Sequence, residues 1–422
     1  MKKNNKEKNK WFYVLFLCLI TLLIIFLPNS SKIMLILGAY NTILSIIMLL
    51  KYKKSGNLSL LVGIMALIII SYSSSLCFNA IDNARNWQYE LINMTENIIN
   101  LKCFSIFITA IMMSIKNISD KDIKVISIRF NPFIIFFGSI ILIYALLFTF
   151  ERSFGDIYVS NTNPLYEYSL IIFLLVWMYS GDNKVIKFFL LLYAATYSLQ
   201  GLLFGDRSSA FPMILTVLVL ILKDKITMKR VLVFGVCGIA LANFIDITRN
   251  NQFSTGWINE IINRGLNINT ISYSSYAGTQ IVRLSEATSY AEKSKHFVKY
   301  TFSYIVGGKN EEALDYLARK NNLINAGGGM THSYFYFWGG YLFVLIAGIL
   351  FGIIINKIYS SSSRICYYLQ ILIIAFAIRW LVYYPIAFFR TTLFIPLVAY
   401  TICFIADNMC RKQKNILRGI GD

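Results

Sequence analysis

The sequence predicts an all-α polytopic membrane protein with about twelve transmembrane helices and one large extracytoplasmic loop. Three observations lead to this prediction. Of the 422 residues, 57% are hydrophobic and 14% are charged, whereas soluble domains carry about 25% charged residues. The hydrophobic residues lie in runs of membrane length. The basic residues flank these runs in a consistent order, as they do in membrane proteins of defined orientation.

Twelve apolar runs, separated by polar or Pro- and Gly-containing turns, are predicted to be spans. The first run exceeds the core of a signal peptide and no A-x-A cleavage site follows it, so we expect an uncleaved span. The run 209–222 is short for a membrane of about 30 Å, and a re-entrant segment is an alternative there. The predicted spans are 11–27, 33–50, 58–79, 98–115, 132–150, 165–180, 188–204, 209–222, 231–247, 334–355, 366–384 and 392–408.

The distribution of Lys and Arg predicts the orientation of these spans. With both termini in the cytoplasm, the cytoplasmic segments contain 24 of the 40 basic residues, as the positive-inside rule requires. Six others, Lys102 among them, are assigned to short outer connections, and Arg379 falls within a span. The formal net charge of +19 therefore reflects topology and attraction to an anionic leaflet. Nucleic-acid binding would need a basic stripe on a soluble face. Here the basic residues flank apolar runs instead, so the charge does not indicate a nucleic-acid partner.

The chain divides into three predicted regions. Residues 1–247 contain nine spans, residues 248–333 form a long polar extracytoplasmic loop, and residues 334–422 contain three spans and a cytoplasmic tail. A connection this long usually has structure and function of its own. Apolar residues in the loop repeat at helical spacing, which predicts amphipathic helices against the membrane surface or over a cavity. These residues are Trp257, Ile258, Ile261 and Ile262, and then Leu314, Leu317 and Ala318.

Four arginines on the predicted outer side are candidate ligand-binding residues. They are Arg207, which follows Gly205-Asp206, and Arg249, Arg283 and Arg390. A guanidinium group binds phosphate with two parallel hydrogen bonds, so the set suits a lipid-diphosphate headgroup. The alternative is structural: Arg207 pairs with Asp206 or another carboxylate, and the other three snorkel towards water.

His332 is the candidate general base. It lies between the run Gly327-Gly328-Gly329 and the tenth predicted span, and a neutral imidazole can accept a proton near neutral pH. The alternative is an interfacial histidine in a belt with Tyr334 and Tyr336. The second histidine, His296, lies in a charged stretch and is predicted to be solvated.

Neither a metal nor a cofactor is predicted. The carboxylates on the predicted outer side include no D-x-D pair to hold a divalent ion with a diphosphate, and the sequence has no Walker A motif and no CxxC spacing among its seven cysteines. Tyrosines in the loop could contact the apolar faces of sugar rings, or they could be membrane-interface residues. They are Tyr273, Tyr276, Tyr290, Tyr300 and Tyr304.

Residues 160–400 or so resemble the O-antigen and capsule polysaccharide polymerases, the Wzy family, and more distantly the O-antigen ligases. The features that carry the resemblance are the Gly205-Asp206-Arg207 turn between spans, Arg283 in the long outer segment, the Gly-rich approach to Thr331-His332-Ser333-Tyr334, and Gly339-Gly340. Ligase sequences tend to have His-Asn where this chain has His332-Ser333. This difference favours a polymerase over a ligase.

The resemblance implies a metal- and nucleotide-independent membrane glycosyltransferase of the GT-C-like class in the bacterial inner membrane. The growing glycan would move from undecaprenyl diphosphate to a sugar hydroxyl of the next lipid-linked repeat unit. Arg207, Arg283 and His332 would be catalytic, and Arg249 and Arg390 would bind the diphosphate with Arg207 and Arg283. Membrane lipids, a chain-length regulator and a flippase would be its partners. A flippase for lipid-linked oligosaccharide, an O-antigen ligase and a non-catalytic assembly protein are the alternatives.

Overall fold

The computed structural model describes residues 15–53, 55–77, 94–116, 130–150, 163–203, 206–222, 225–251, 269–306, 314, 317, 321 and 328–419. The described residues contain α-helices, two π-helical segments and no β-strand. The α-helices are α1 (Leu15–Phe26), α2 (Ser31–Lys51), α3 (Asn57–Cys77), α4 (Met94–Ser114), α5 (Pro132–Phe148), α6 (Pro164–Tyr179), α7 (Lys184–Leu203), α8 (Arg207–Leu222), α9 (Met228–Asn251), α10 (Asn269–Ala287), α11 (Tyr290–Val306), α12 (Thr331–Tyr359), α13 (Arg364–Ala375) and α14 (Ile395–Gly419). The π-helical segments are Arg379–Tyr383 and Ala387–Phe394.

A described helix lies at each of the twelve positions where the sequence predicts a span. Six of them are long and apolar enough to cross a membrane, and five others are apolar but only 10–17 residues long. The fold is therefore that of a helical, membrane-embedded protein, as predicted. The count of twelve spans stays a prediction, and α8 at the doubtful eighth position has 16 residues with Pro212 inside it.

The described residues fall into two compact units. The first comprises residues 1–119, 227–360 and 377–387, and the second comprises 120–226, 361–376 and 388–422. Helix α4 is central to the first unit, where it packs against α2, α10 and, most extensively, α12. Its side chains are buried over nearly the whole of its length.

Two glycines allow α12 to approach α4 closely. A Cβ atom at Gly348 would lie 2.7 Å from the carbonyl oxygen of Phe107, and one at Gly352 would lie 2.7 Å from the carbonyl oxygen of Ile111. Glycines four residues apart on one helical face are the pattern that brings helix backbones together in membranes. This pattern brings the second half of α12 close to the backbone of α4.

Lys102 lies within α4, and not at an outer connection as the sequence analysis assigned it. Its side chain is 2% exposed, and its Nζ donates hydrogen bonds to the carbonyl oxygens of Ile25 and Leu27 and to Asn29 Oδ1. The last carbonyl groups of a helix have no partner within it. Lys102 therefore holds the end of α1 against α4, which makes its buried position structural.

Helix α10 differs from the predicted picture of the long polar segment. It lies among α3, α4 and α12, and between Ile271 and Ser285 only Tyr273 and Arg283 are not buried. Helix α11 keeps an exposed face, which suits the amphipathic prediction. It begins with a capping box, because Ser289 N and Oγ donate to Glu292 Oε2 and Glu292 N donates to Ser289 Oγ. The predicted helix around Trp257 lies outside the described residues.

The second unit is built from α5 to α8, α13 and α14. Asn131 caps α5 through its Oδ1, and its Nδ2 donates to Asp407 Oδ1 on α14. Tyr166 and Tyr197 stack with their ring centroids 4.2 Å apart, and each hydroxyl donates to the other residue's carbonyl oxygen. Pairs of this kind satisfy buried polar groups between helices.

Candidate functional site

The predicted site residues are divided between the two units. Arg283 and His332 belong to the first unit, as does Arg249 near the end of α9, whereas Arg207 and Arg390 belong to the second. The side chains of Arg207 and Arg249 lie outside the described residues, and Arg390 is half-buried in the second π-helical segment. Convergence of the four arginines therefore stays a prediction. Arg283 and His332 can be placed in detail.

A buried asparagine joins three helices at the centre of the first unit. Asn100 Nδ2 donates to the carbonyl oxygen of Ser275 at 3.1 Å and to Thr279 Oγ1 at 3.0 Å, both on α10. Its Oδ1 lies 2.8 Å from His332 Nε2 and accepts from Ser333 Oγ at 3.0 Å, both on α12. All four hydrogen-bonding positions of the amide are therefore used, as a buried amide requires.

These contacts determine which nitrogen of His332 carries the proton. The carbonyl oxygen of Ser275 can only accept, so the Asn100 amide must present Nδ2 to it and Oδ1 to His332. Nε2 of His332 is then a donor, and the hydroxyl oxygen of Tyr72, 3.1 Å away, shares this N–H. In the neutral ring, Nδ1 is the acceptor nitrogen.

The imidazole of His332 is enclosed by aromatic rings. The residue is 1% exposed, and the centroid of the Phe104 ring lies 5.1 Å from that of the imidazole. This environment differs from the interfacial belt considered as the alternative. The contacts are those of a residue that orders the junction of α3, α4 and α12. A base role would have to proceed through Nδ1, and it stays a prediction.

The Gly-rich run before α12 allows the chain to reach this junction. Gly328, Gly329 and Met330 have φ angles of 87°, 149° and 56°. A Cβ at Gly329 would lie 2.3 Å from Ile281 Cδ1, and one at Gly328 would lie 3.0 Å from Ser274 Oγ. Only glycine combines positive φ with so close an approach at little cost. The glycines therefore pack against α10 directly before α12 brings His332 to the junction with α3 and α4.

Arg283 presents its guanidinium group at the edge of this polar core. Its side chain is 51% exposed, and its Nε lies 3.9 Å from Oε1 of Glu96, whose side chain is 9% exposed. The second carboxylate oxygen, Oε2, is buried and has no hydrogen-bond partner among the described residues. Glu96 lies in the first turn of α4, where the helix dipole favours a negative charge. The result is an accessible cation beside a buried, incompletely bonded carboxylate.

The side chains of α10 are polar enough to form this site and small enough for the helix to be buried. Thr279 Oγ1 donates to Asn97 Oδ1 at 2.9 Å, one turn from the Glu96–Arg283 pair. A Cβ at Gly278 would lie 2.8 Å from Ser333 Oγ and 3.1 Å from Asn100 Nδ2. Its short side chains therefore pack closely while their hydroxyl groups bond across the helices, as small polar residues do between membrane helices.

His296 is buried, and not solvated as the sequence analysis predicted. It is 9% exposed, and its Nδ1 accepts a hydrogen bond from Trp338 Nε1 at 2.9 Å. It packs with Tyr300, Phe337 and Trp338. The charged residues around it belong to the exposed face of the same amphipathic helix. The aromatic cluster therefore joins α11 to α12.

The loop tyrosines differ in their access to a ligand. Tyr276 and Tyr300 are 1% and 4% exposed, so they are core residues and cannot contact a sugar in this conformation. Tyr290 is 82% exposed and Tyr273 is intermediate. The side chain of Tyr304 lies outside the described residues. Of the five, only Tyr273 and Tyr290 are described with access to a ligand.

Asp206 acts as the N-cap of α8 in the Gly-Asp-Arg turn. Its Oδ1 accepts hydrogen bonds from Ser208 Oγ at 2.6 Å and from Ser209 N at 3.2 Å, which is the capping interaction that Asp favours. Asp206 is 5% exposed. One of its two carboxylate oxygens therefore caps the N-terminus of α8, whose first residue is Arg207.

Neither Asn100 nor Glu96 was identified from the sequence as a site residue. A signal existed for both, because polar residues at or within an apolar span are functional or structural candidates by default. Their partners on α10 could not be identified, since they lie about 180 positions away in the chain.

No protein-family model, curated protein or solved structure matches this chain.

Proposed function

We propose that this protein polymerises lipid-linked oligosaccharide repeat units on the extracytoplasmic face of the bacterial inner membrane. The growing glycan moves from undecaprenyl diphosphate to a sugar hydroxyl of the next repeat unit, and the lipid diphosphate leaves. The proposal includes a GT-C-like arrangement of about twelve spans with both termini in the cytoplasm. It requires no metal and no nucleotide.

The observation that carries this proposal is the exposed guanidinium of Arg283 beside the buried polar core of α4, α10 and α12. A cation held at the edge of a membrane-embedded unit suits a phosphate group on a lipid. The same cation would stabilise the negative charge that develops on the diphosphate as the glycosidic bond breaks. The long segment that contains Arg283 also resembles the outer segment of the Wzy polymerases.

The remaining residues have proposed roles in the same reaction. Arg207, Arg249 and Arg390 bind the diphosphate with Arg283, since several guanidinium groups are needed to neutralise its charge. The resemblance implies a general base at His332, whereas its contacts with Asn100 and Tyr72 favour a role in ordering the junction of α3, α4 and α12. A flippase that delivers repeat units and a chain-length regulator are the proposed protein partners.

Elongation of radiolabelled lipid-linked repeat units by purified protein, without nucleotide, tests the proposal. We expect ladders of glycan on the lipid carrier. A flippase would instead move labelled lipid between leaflets of a vesicle, and a ligase would transfer glycan only to a second lipid acceptor. A non-catalytic assembly protein would do none of these. Absence of elongation by the correctly folded wild-type protein would refute the polymerase assignment.

Variants at the site sharpen this experiment. Arg283→Ala should lower the elongation rate by about 100- to 1000-fold, the usual effect of removing one group that stabilises developing charge. Lys295→Ala is the matched control, because it removes an exposed positive charge from the neighbouring helix α11. We expect Lys295→Ala to retain the wild-type rate. Equal rates in both variants would exclude Arg283 from the site.

A further inference from the structure

We infer that Glu96 is the general base of the proposed transfer, which accepts the proton of the attacking sugar hydroxyl. The inference rests on the proposed function and assigns a catalytic residue that neither the sequence nor the resemblance indicated. Its basis is the position of the Glu96 carboxylate beside Arg283, the group proposed to hold the diphosphate.

The carboxylate of Glu96 lies at the edge of the site, and the described residues do not use all of its hydrogen-bonding capacity. Oε1 lies 3.9 Å from Arg283 Nε, which is longer than a hydrogen bond, and Oε2 is buried without a described partner. A carboxylate can accept about four hydrogen bonds, and buried polar atoms are nearly always bonded. Because Oε2 is buried, a hydroxyl of the acceptor sugar that arrives beside the half-exposed Arg283 would donate to Oε1, the oxygen that faces the guanidinium group.

The surrounding contacts keep Glu96 in this position. Asn97 and Asn100, which follow it on α4, are both bonded to Thr279 on α10. Helices α4 and α10 therefore cannot slide relative to one another without breaking buried hydrogen bonds. Precise placement matters because a general base must lie within hydrogen-bonding distance of the proton that it removes.

Glu96 suits the role of base better than His332 does. His332 is 1% exposed and is enclosed by the rings of Tyr72 and Phe104. Glu96 instead lies next to the accessible guanidinium group of Arg283. The anomeric carbon of a glycosyl diphosphate bound there would be only a few bonds from the phosphate that Arg283 holds. A carboxylate base also removes the proton from the attacking oxygen in inverting glycosidases.

The proposed step balances as a single displacement. The acceptor oxygen forms a bond to the anomeric carbon, and the bond between that carbon and the diphosphate oxygen breaks with its electron pair on the diphosphate. The hydroxyl proton passes to the Glu96 carboxylate, and Arg283 compensates the charge of the departing diphosphate. Glu96 then returns the proton to water before the next turnover.

Glu96→Gln tests the role, with Glu286→Gln as the matched control. Glutamine keeps the shape of the side chain but cannot accept the proton. Glu286 lies one turn beyond Arg283 on α10 and is exposed. In single-turnover elongation of labelled repeat units, we expect Glu96→Gln to slow the reaction by about 100- to 10,000-fold. Glu286→Gln should keep the wild-type rate, and Glu96→Asp should recover part of the lost rate.

Binding of the labelled donor and thermal stability separate a catalytic role from a structural one. We expect Glu96→Gln to bind the donor within about threefold of wild type, a difference of about 0.7 kcal/mol, and to melt at a similar temperature. Loss of donor binding or of folding together with activity would make Glu96 structural and overturn the inference. A fully active Glu96→Gln would overturn it while leaving the polymerase proposal intact. A wild-type protein that does not elongate would remove both.

Discussion

Replacement of Asn100 by alanine should destabilise the first unit more than replacement of any other Asn or Gln among the described residues of that unit. Asn100 makes four buried hydrogen bonds, to Ser275, Thr279, His332 and Ser333. Hydrogen bonds between membrane helices contribute about 0.6 kcal/mol each on average, and a buried group left without its partner costs about 1–3 kcal/mol. We therefore expect Asn100→Ala to lower the free energy of unfolding by about 2–4 kcal/mol.

Unfolding in mixed detergent micelles with increasing dodecyl sulfate measures this loss. Asn97→Ala is the matched control, because Asn97 lies one turn earlier on α4 and makes a single described hydrogen bond, from Thr279. We expect it to cost about 0.5–1 kcal/mol. Equal losses in the two variants, or no loss in Asn100→Ala, would show that the four bonds do not hold α4, α10 and α12 together.

Two further predictions concern packing and helix capping. Gly348→Val should lower the free energy of unfolding by about 1–3 kcal/mol, because a Cβ there would meet the Phe107 carbonyl oxygen at 2.7 Å. Gly238→Val, at a glycine with no atom within 4 Å of its Cβ position, should be close to neutral in the same denaturation measurement. Hydrogen bonds from Ser289 lower the pKa of Glu292 below its ordinary value. Stabilisation of α11 by this cap should therefore be present above about pH 4.5 and be lost as pH falls through the lowered value. Relative hydrogen-exchange protection of α11, compared between wild type and Glu292→Gln, measures it; a difference that does not shrink as pH falls below about 4.5 would contradict a role of the ionised carboxylate in the cap.

Much of the fold followed from the sequence because apolar runs in lipid have few alternatives. A backbone in a membrane must satisfy its own hydrogen bonds, so each long apolar run becomes a helix. Helices accordingly lie at all twelve predicted positions. The Gly-rich approach to His332 was also noted in the sequence, although its reason, three consecutive positive φ angles against α10, is visible only in three dimensions.

The polar residues were harder to place, since their position depends on partners distant in the chain. Lys102 was assigned to a short outer connection, yet it lies within α4, where three acceptors at and just after the end of α1 satisfy its ammonium group. His296 was assigned to solvent because of its charged neighbours, yet it occupies the buried face of an amphipathic helix.

The sequence by itself determined that the chain is a helical membrane protein, and it identified Arg283 and His332 as residues to examine. Tertiary structure decided that α10, rich in serine and threonine, is buried between α3, α4 and α12. It also decided that Arg283 faces Glu96 and that His332 faces Asn100. The physical reason is that the burial of an apolar segment can be predicted from the composition of a short stretch of sequence. A polar helix, in contrast, can be buried only where neighbouring helices supply donors and acceptors that match its own.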